Sequence, residues 1–579
     1  MTAEEIRRVI CETVLENGGH LASSLGAVEI AMALAEVFDP VHDRVVWDVG
    51  HQAYAWKLLT GRDGSFRTLR RFGGISGFPN PAESPADAAV AGHAGVAISV
   101  AEGLAFARDR MGGGENVVAV TGDASLVNGT SFEALNNCVA TTGKVIIVLN
   151  DNKMGISSPT GALSRLLGRI ISGVRYNRIK AAAEAAGHRL GFSFLRNAYH
   201  RVESRLKGLF LGSAFFERLG VRYIGPVDGH DLNALKSAFT VAKCDKRSVL
   251  VHVVTVKGKG YAPAEADPSR WHGVSPAQLP RQTAAAPGSG RTWSDVAGET
   301  LCELAREDSR VCALTAAMKG GTGLSRFSES FPERFVDVGI AEGHMVALAA
   351  GMAAGGMRPF VAVYSTFMQR AVDQIMHDVC ISRQPVVFLL DRAGVVGEDG
   401  ATHHGVYDYA MLKCLPNLVI CQPSDAEDLV RLMREALNRD GPTVIRYPRG
   451  VAPERIAPVE REDAKIAIWA TGDMVSRANA VAEKVGATVV HARYMKPFDE
   501  ALLSRQRKVG KLIASIENGS LVGGFGETIC ADVRFGWPDV FVPHGSVAEL
   551  EKSFSLDVES IAAAILARQA SLPSERALA

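Results

Sequence analysis

The chain has no charge of one sign to spare: 63 Lys and Arg are matched by 63 Asp and Glu. That balance removes the broad positive field with which a nucleic-acid binder steers its ligand, so any anionic partner must be met locally. A long apolar run is also missing. The longest nearly uncharged stretch, Met345 to Met357, lies between His344 and Arg358. It falls well short of the roughly 20 residues that cross a bilayer and reads instead as a buried helix of small residues. Cysteines are few, nine in 579 residues, odd in number and never spaced Cys-x-x-Cys. This points to a reducing compartment and away from zinc. The first residues, Met1-Thr-Ala-Glu-Glu-Ile-Arg-Arg, open with acids instead of a basic stretch followed by an apolar core, so a secretory signal is not expected and a cytoplasmic location is.

What is present is a globular composition, 47% hydrophobic and 22% charged, with 58 glycines that imply many tight turns and close backbone approaches. Apolar runs of strand length end repeatedly in Gly, Asp, Asn or Ser and lead into helical stretches, as in Asn116-Val-Val-Ala-Val-Thr-Gly-Asp and Lys144-Val-Ile-Ile-Val-Leu-Asn-Asp. The alternation predicts α/β domains with parallel or mostly parallel sheets. Gln282-Thr-Ala-Ala-Ala-Pro-Gly-Ser-Gly-Arg breaks the pattern as a linker, and a charged connection follows Arg449-Gly450. Three α/β domains are therefore expected, over 1–281, 292–450 and 463–579. Between Ser164 and Lys207, ten Lys or Arg face only Glu184 and Glu203. That segment reads first as a solvated surface of amphipathic helices, and second as a lid over an anionic substrate.

In an open parallel sheet, ligands bind beyond the carboxyl ends of the strands, where the first series puts Asp123 and, 29 positions later, Asn152. Two oxygen donors at adjacent strand ends suit Mg²⁺, a hard ion that shares its shell with phosphates. A metal holding a diphosphate fits that pair, whereas a lone Gly-Asp turn would be structural.

These residues carry a resemblance. Gly122-Asp123-Ala124 through Asn152 resembles the thiamine-diphosphate motif, Gly-Asp-Gly followed by Asn after some thirty residues. Gly19-His-Leu-Ala-Ser-Ser-Leu-Gly, Asp48-Val-Gly-His-Gln-Ala-Tyr, Tyr223-Ile-Gly-Pro-Val-Asp-Gly-His-Asp, Lys257-Gly-Lys-Gly-Tyr-Ala-Pro-Ala-Glu and Asp391-Arg-Ala-Gly-Val-Val-Gly-Glu-Asp-Gly-Ala-Thr-His-His-Gly are similar, in one order, to segments of 1-deoxy-D-xylulose-5-phosphate synthases. The resemblance implies a transketolase-like fold with diphosphate-binding, pyrimidine-binding and C-terminal domains, in a homodimer. It also implies thiamine diphosphate and Mg²⁺ as cofactors and the decarboxylative condensation of pyruvate with D-glyceraldehyde 3-phosphate. A transketolase-type paralogue acting on other sugar phosphates, and a degenerate paralogue that binds without turnover, are the alternatives.

Thiamine chemistry needs one acid to hold the cofactor's aminopyrimidine in its imino form. Glu342 follows a strand-like segment and opens the small-residue helix, a buried setting that raises a carboxyl pKa. On the residues alone, a helix-start carboxylate favoured by the macrodipole reads equally well. The likeness of Ala341-Glu-Gly-His to the family's Ala-Glu-Gln-His selects the acid. His20, His51, His93, His403 and His404 all lie in Gly-rich segments, where a lone histidine is more often a turn or core residue. By resemblance, His51 and His403 shuttle protons, His20 lines the acceptor channel and His93 approaches the diphosphate. Gly92, Ala94, Ala124, Ser125, Lys259 and Tyr261 fall in the same cofactor-binding motifs. The Met154 carbonyl joins Asp123 and Asn152 on the metal, and Phe367 packs against the aminopyrimidine. Arg392 and Arg449 match the family's phosphate-binding arginines, with Tyr364 and Arg370 flanking that pocket and Asp399 beside His403. Singly, Arg392 reads as readily as a surface ion-pair residue.

The departures from the family are not at surface positions. Ala124 replaces a Gly, Gly343 a Gln, Trp56 a His, and Ala94-Gly95-Val96 the hydroxyl run Ser-Ser-Thr. Lost hydroxyls and an added methyl near a diphosphate bear on cofactor affinity.

Overall fold

The runs picked out above are β-branched and apolar along their length, the signature of strands covered on both faces. In the computed structural model they form β1 (Arg44–Trp47), β2 (Val117–Gly122), β3 (Ile146–Asp151), β4 (Arg222–Asp228) and β5 (Val249–Val254), all parallel, in the order β1-β2-β3-β5-β4. The structure describes residues 1–152, 211–274 and 290–571. The basic segment 164–207, Met154 and most of the linker expected from Gln282 lie outside them.

This sheet is the centre of the first of two compact units, Met1–Leu69 with Ile75–Leu279. Tyr54, Trp56, Val118, Val120 and Val148 pack on one of its faces, and Ile98, Ala101, Ala119, Ile147 and Leu149 on the other. Each fully buried Val, Leu or Ile contributes about 1.5–3 kcal/mol. Trp56, which stands where the family has His, is a core residue whose indole N–H donates to the Ala86 carbonyl at 3.2 Å. The first helix, Ala3–Asn17, starts at a capping box in which Thr2 and Glu5 satisfy each other's backbone N–H groups.

The second unit comprises Arg70–Gly74 and Pro280–Ala579. Its strands are β6 (Val311–Thr315), β7 (Phe335–Asp337), β8 (Arg358–Tyr364), β9 (Val387–Asp391), β10 (Val419–Cys421), β11 (Thr443–Arg446), β12 (Ile466–Ala470), β13 (Thr488–His491), β14 (Tyr494–Lys496), β15 (Leu512–Ser520) and β16 (Val533–Trp537). They build a seven-stranded sheet, β14-β10-β11-β9-β8-β6-β7, and a four-stranded one, β13-β12-β15-β16. All pairings are parallel except that of β14 with β10. The fold is thus mostly parallel α/β, as expected. The sequence pattern does not anticipate β14, which leaves the third series to complete the second sheet.

The stretch read as a buried helix is the helix Glu342–Ala354, and only one face of it is buried. Met345, Val346, Ala349, Ala350 and Ala353 sit on the sheet, while His344, Ala347, Gly351 and Ala354 are exposed. Among the described residues, no helix is long and apolar enough to cross a membrane. All nine cysteines are free.

Candidate active site

In the first unit, adjacent parallel strands deliver their carboxyl ends to one place. β2 runs into Asp123, β3 ends at Asp151 and hands on to Asn152, and β5 leads to Lys257. The register pairs Gly122 with Asn150 and Asp151 with Val254. Burial, and then the neighbouring Asp151, push the Asp123 carboxyl up to about 7 against the pull of Lys257. Lys257, itself buried, is pushed down to about 8 by desolvation, with Asp123 opposing. Asp151 is fixed from behind, its Oδ2 lying 3.1 Å from His252 Nε2 while His252 Nδ1 lies 2.7 Å from the Tyr223 hydroxyl. Among the described residues, a Cβ added at Gly122 beside this cluster would meet no atom within 4 Å.

Three imidazoles gather in the same unit. The ring centroids of His20, His51 and His272 are 5.8, 5.5 and 5.2 Å apart in the pairs 20–51, 20–272 and 51–272. The Tyr54 hydroxyl accepts from the His20 N–H at 3.2 Å, Ser24 Oγ donates to the His51 carbonyl at 2.9 Å, and Ser23 Oγ lies 3.1 Å from His272 Nδ1. Burial, then Lys257, His51 and His20, hold His272 well below the ordinary histidine pKa, so its ring is neutral at physiological pH.

Gly92, His93 and Ala94 lie on the turn before the helix Ala97–Met111. The first amides of that turn are already engaged, since the Asp48 carboxylate accepts from Gly95, Val96 and Ala97 N–H at 2.9 to 3.2 Å. Gly95 has φ +85°, and a Cβ there would fall 2.5 Å from Asn128 Oδ1, so a serine is excluded by conformation and by its neighbour together. Ala124 N–H donates to Asp123 Oδ1 at 2.9 Å, and the buried Ser125 offers its carbonyl to Ser131 Oγ at 2.9 Å. Lys259 is half-buried, and Tyr261 packs edge-on against Trp271 with 5.2 Å between centroids.

In the second unit the carboxyl ends of β7, β8, β9 and β11 carry a second group of predicted residues. Glu342 opens its helix at 4% exposure, with Oε2 3.6 Å from Arg370 Nη1. Burial raises its carboxyl pKa, while Arg370 pulls it down. Phe367 stacks on Tyr364 at 5.9 Å and meets His403 edge-on at 5.6 Å. His403 Nδ1 is 2.9 Å from Thr402 Oγ1. The Arg392 guanidinium lies 3.8 Å over the Tyr364 ring, a cation–π contact, and its backbone is held at φ +58°, a strained value for a residue with a side chain. Arg449 Nη1 donates to the Val396 carbonyl at 3.4 Å, and Asp399 Oδ1 accepts from Arg70 Nη1 at 2.6 Å. Below them, burial pushes Asp391 up to about 6; its Oδ2 accepts from Ser294 Oγ at 2.6 Å. The structure therefore gathers Glu342, Arg370, Phe367, Tyr364, Arg392 and His403 on one edge of one sheet.

Family models match along the chain: 1-deoxy-D-xylulose-5-phosphate synthase over residues 1–255, the transketolase pyrimidine-binding domain over 289–454 and the transketolase C-terminal domain over 456–561. The 1-deoxy-D-xylulose-5-phosphate synthase of Pelotomaculum thermopropionicum is 44% identical, the match covering 98% of this chain and 93% of that protein. That of Nitratidesulfovibrio vulgaris is 46% identical over 97% and 93%. The chain belongs to the 1-deoxy-D-xylulose-5-phosphate synthase family. A solved transketolase from Campylobacter jejuni is similar over 98% of both chains at 18% identity, with a TM-score of 0.45, too low to carry weight.

Two residues of these clusters were not singled out from sequence. His272 has no strong local signal, because Trp271-His-Gly could be any turn, and its meeting with His20 and His51 is a tertiary event. Lys257 shares its motif with Lys259, and only burial shows that Lys257 is the ammonium facing Asp123. A lysine closing an apolar strand, Val249 to Val254, was the signal available.

Proposed function

We propose that the chain joins pyruvate to D-glyceraldehyde 3-phosphate with loss of carbon dioxide, giving 1-deoxy-D-xylulose 5-phosphate for isoprenoid, thiamine and pyridoxal synthesis. Thiamine diphosphate is the cofactor and Mg²⁺ its metal. The observation that carries the reading is the buried Glu342, its carboxyl pKa raised by that burial, on the same sheet edge as Arg392, Tyr364 and His403, in a chain of this family.

The residues suit the cofactor. Two acidic groups and one lysine in a desolvated space at Asp123 leave negative charge that a divalent cation would offset. Asp123 and Asn152 would hold Mg²⁺ together with the Met154 carbonyl. Gly92, His93, Ala94, Ala124, Ser125, Lys259 and Tyr261 would line the diphosphate half, and Phe367 the aminopyrimidine. When bound, thiamine diphosphate supplies the electron sink that lets the carboxyl group leave.

The protein's own work is then positioning and proton transfer. Glu342, its carboxyl pKa raised by burial, would exchange a proton with the aminopyrimidine ring. His51 and His403 exchange protons with the reacting oxygens, and His20 lines the acceptor's approach. Arg370 fixes Glu342, and Asp399 stands by His403. Arg392 and Arg449 grip the acceptor phosphate, for which guanidinium forks are suited, beside Tyr364. The domains 1–281, 292–450 and 463–579 divide these tasks, and the chain acts as a cytoplasmic homodimer.

Identity along nearly the whole chain favours this reading over ketol transfer between sugar phosphates or binding without turnover. The test is product analysis from purified protein with pyruvate, D-glyceraldehyde 3-phosphate, thiamine diphosphate and Mg²⁺. Carbon dioxide and 1-deoxy-D-xylulose 5-phosphate in equal amounts are expected. Ketol transfer without carbon dioxide, or no product from protein saturated with cofactor, would overturn it. Light scattering of the same sample tests the dimer.

A further inference from the structure

The second histidine of Thr402-His-His-Gly has no part in the roles above, yet it is the better buried of the two. His404 is 1% exposed and both of its ring nitrogens are engaged. Val396 N–H donates to Nδ1 at 3.1 Å, and Nε2 lies 3.2 Å from the Pro543 carbonyl. One neighbour is a fixed donor and the other a fixed acceptor, so the ring must be neutral with its proton on Nε2. Burial also lowers its pKa, which keeps it so.

The loop it braces carries the phosphate-site candidates. Gly394 and Gly405 close the base by exchanging backbone hydrogen bonds of 2.8 and 2.7 Å. Inside, two successive buried amides need partners. Val395 N–H donates to Asn518 Oδ1 at 3.1 Å, and Val396 N–H donates to His404. The next carbonyl, that of Val396, accepts from Arg449. His404 thus grips one side of the residue whose other side holds Arg449, and ties both to the segment at Pro543.

We infer that His404 is a positioning residue for recognition of the acceptor's phosphate, acting as a neutral strut from Pro543 through Val396 to Arg449. The inference rests on the reading of Arg449 and Arg392 given above. It makes the C-terminal region, which supplies none of the proposed catalytic groups, a determinant of acceptor binding.

The test uses the full chain loaded with thiamine diphosphate and Mg²⁺. KM is measured for D-glyceraldehyde 3-phosphate, for unphosphorylated D-glyceraldehyde and for pyruvate, and the cofactor Kd by calorimetry. His404→Ala should raise KM for the phosphorylated aldehyde about tenfold, with the other three quantities within about twofold. His404→Asn, whose Oδ1 can replace Nδ1 as the acceptor for Val396, should restore most of the loss. His404→Gln, which keeps only the donor toward Pro543, should not. An unchanged KM in His404→Ala, equal losses with both aldehydes, or rescue by Gln equal to that by Asn overturns the strut. If His404→Ala does not fold, the Asn and Gln variants decide by the same criterion. Arg449→Ala separates the two levels: no rise in KM there defeats the phosphate reading, whereas a rise without any effect at His404 defeats the strut alone.

Discussion

Exchanging Glu342 for Gln removes an ionisable group and almost nothing else. The side chain is 4% exposed, its carboxyl is pushed above the ordinary range by burial, and Arg370 Nη1 stands 3.6 Å from Oε2. An amide keeps the volume and the start of the helix but cannot exchange a proton with a ring nitrogen. A positioned acid–base group contributes about 10²–10⁴ in rate, which is about 3–5 kcal/mol of barrier. Hydrogen–deuterium exchange at the reactive ring carbon of bound thiamine diphosphate should therefore slow at least about a hundredfold. The nearest group to position 343 does not rescue it: a Cβ there would lie 3.1 Å from Gln374 Oε1, and Gln374 is an amide, not an acid. The assay compares wild type and variant by NMR of quenched samples, both saturated with cofactor, with the Kd measured alongside. The pH dependence has a defined sign. A carboxyl whose pKa is raised on folding contributes stability at low pH and loses it as pH rises through the folded value. Gln carries no such loss, so the variant's melting temperature relative to wild type should climb as pH rises from the ordinary carboxylate range. Equal exchange rates at equal saturation would refute the assignment.

Asp123→Ala should weaken binding of thiamine diphosphate with Mg²⁺ by at least about a hundredfold, since even residues behind metal ligands are worth 10–100-fold; unchanged affinity in a titration would make Asp123 a turn residue. Arg392→Ala should raise KM for the phosphorylated acceptor about 10- to 100-fold with cofactor Kd intact, and equal losses with unphosphorylated glyceraldehyde would remove phosphate recognition from it. Asp391, raised from 3.8 to about 6 by burial, has its Oδ1 buried without a partner among the described residues. Its contribution is present below the unfolded pKa and lost as pH rises through about 6, so Asp391→Asn should gain about 2 kcal/mol on wild type between pH 4 and pH 7. Denaturant unfolding at the two pH values measures this, and a difference that stays flat would mean that Asp391 is already paired.

The sheet-forming runs were legible because burial on both faces leaves an unbroken apolar word, as at Val117 to Val120 and Ile146 to Leu149. The candidates at their ends were reached the same way: Asp123 and Asn152 each stand three residues beyond such a word, which ends at Val120 and at Leu149. What is assembled in space was not. His272 lies 221 positions from His51 in sequence and 5.2 Å from it in the fold, and no local pattern encodes that meeting. Nor does sequence tell Lys257 from Lys259, two positions apart, because only the depth of the strand end buries the first. The departure at Gly95 acquires a cause: Asn128 occupies the volume a side chain there would need.

β14 carries a consequence for how the chain can be cut. Tyr494–Lys496 pairs antiparallel with Val419–Cys421 and closes that flank of the seven-stranded sheet. The family boundaries divide the chain between residues 454 and 456, which makes the pyrimidine-binding segment look like a separable module. Expressed alone to that boundary, it would present the free edge of β10, a row of unpaired N–H and C=O groups ready to recruit another chain. A fragment intended for isolated study must therefore carry the peptide through Pro497, or expect to precipitate.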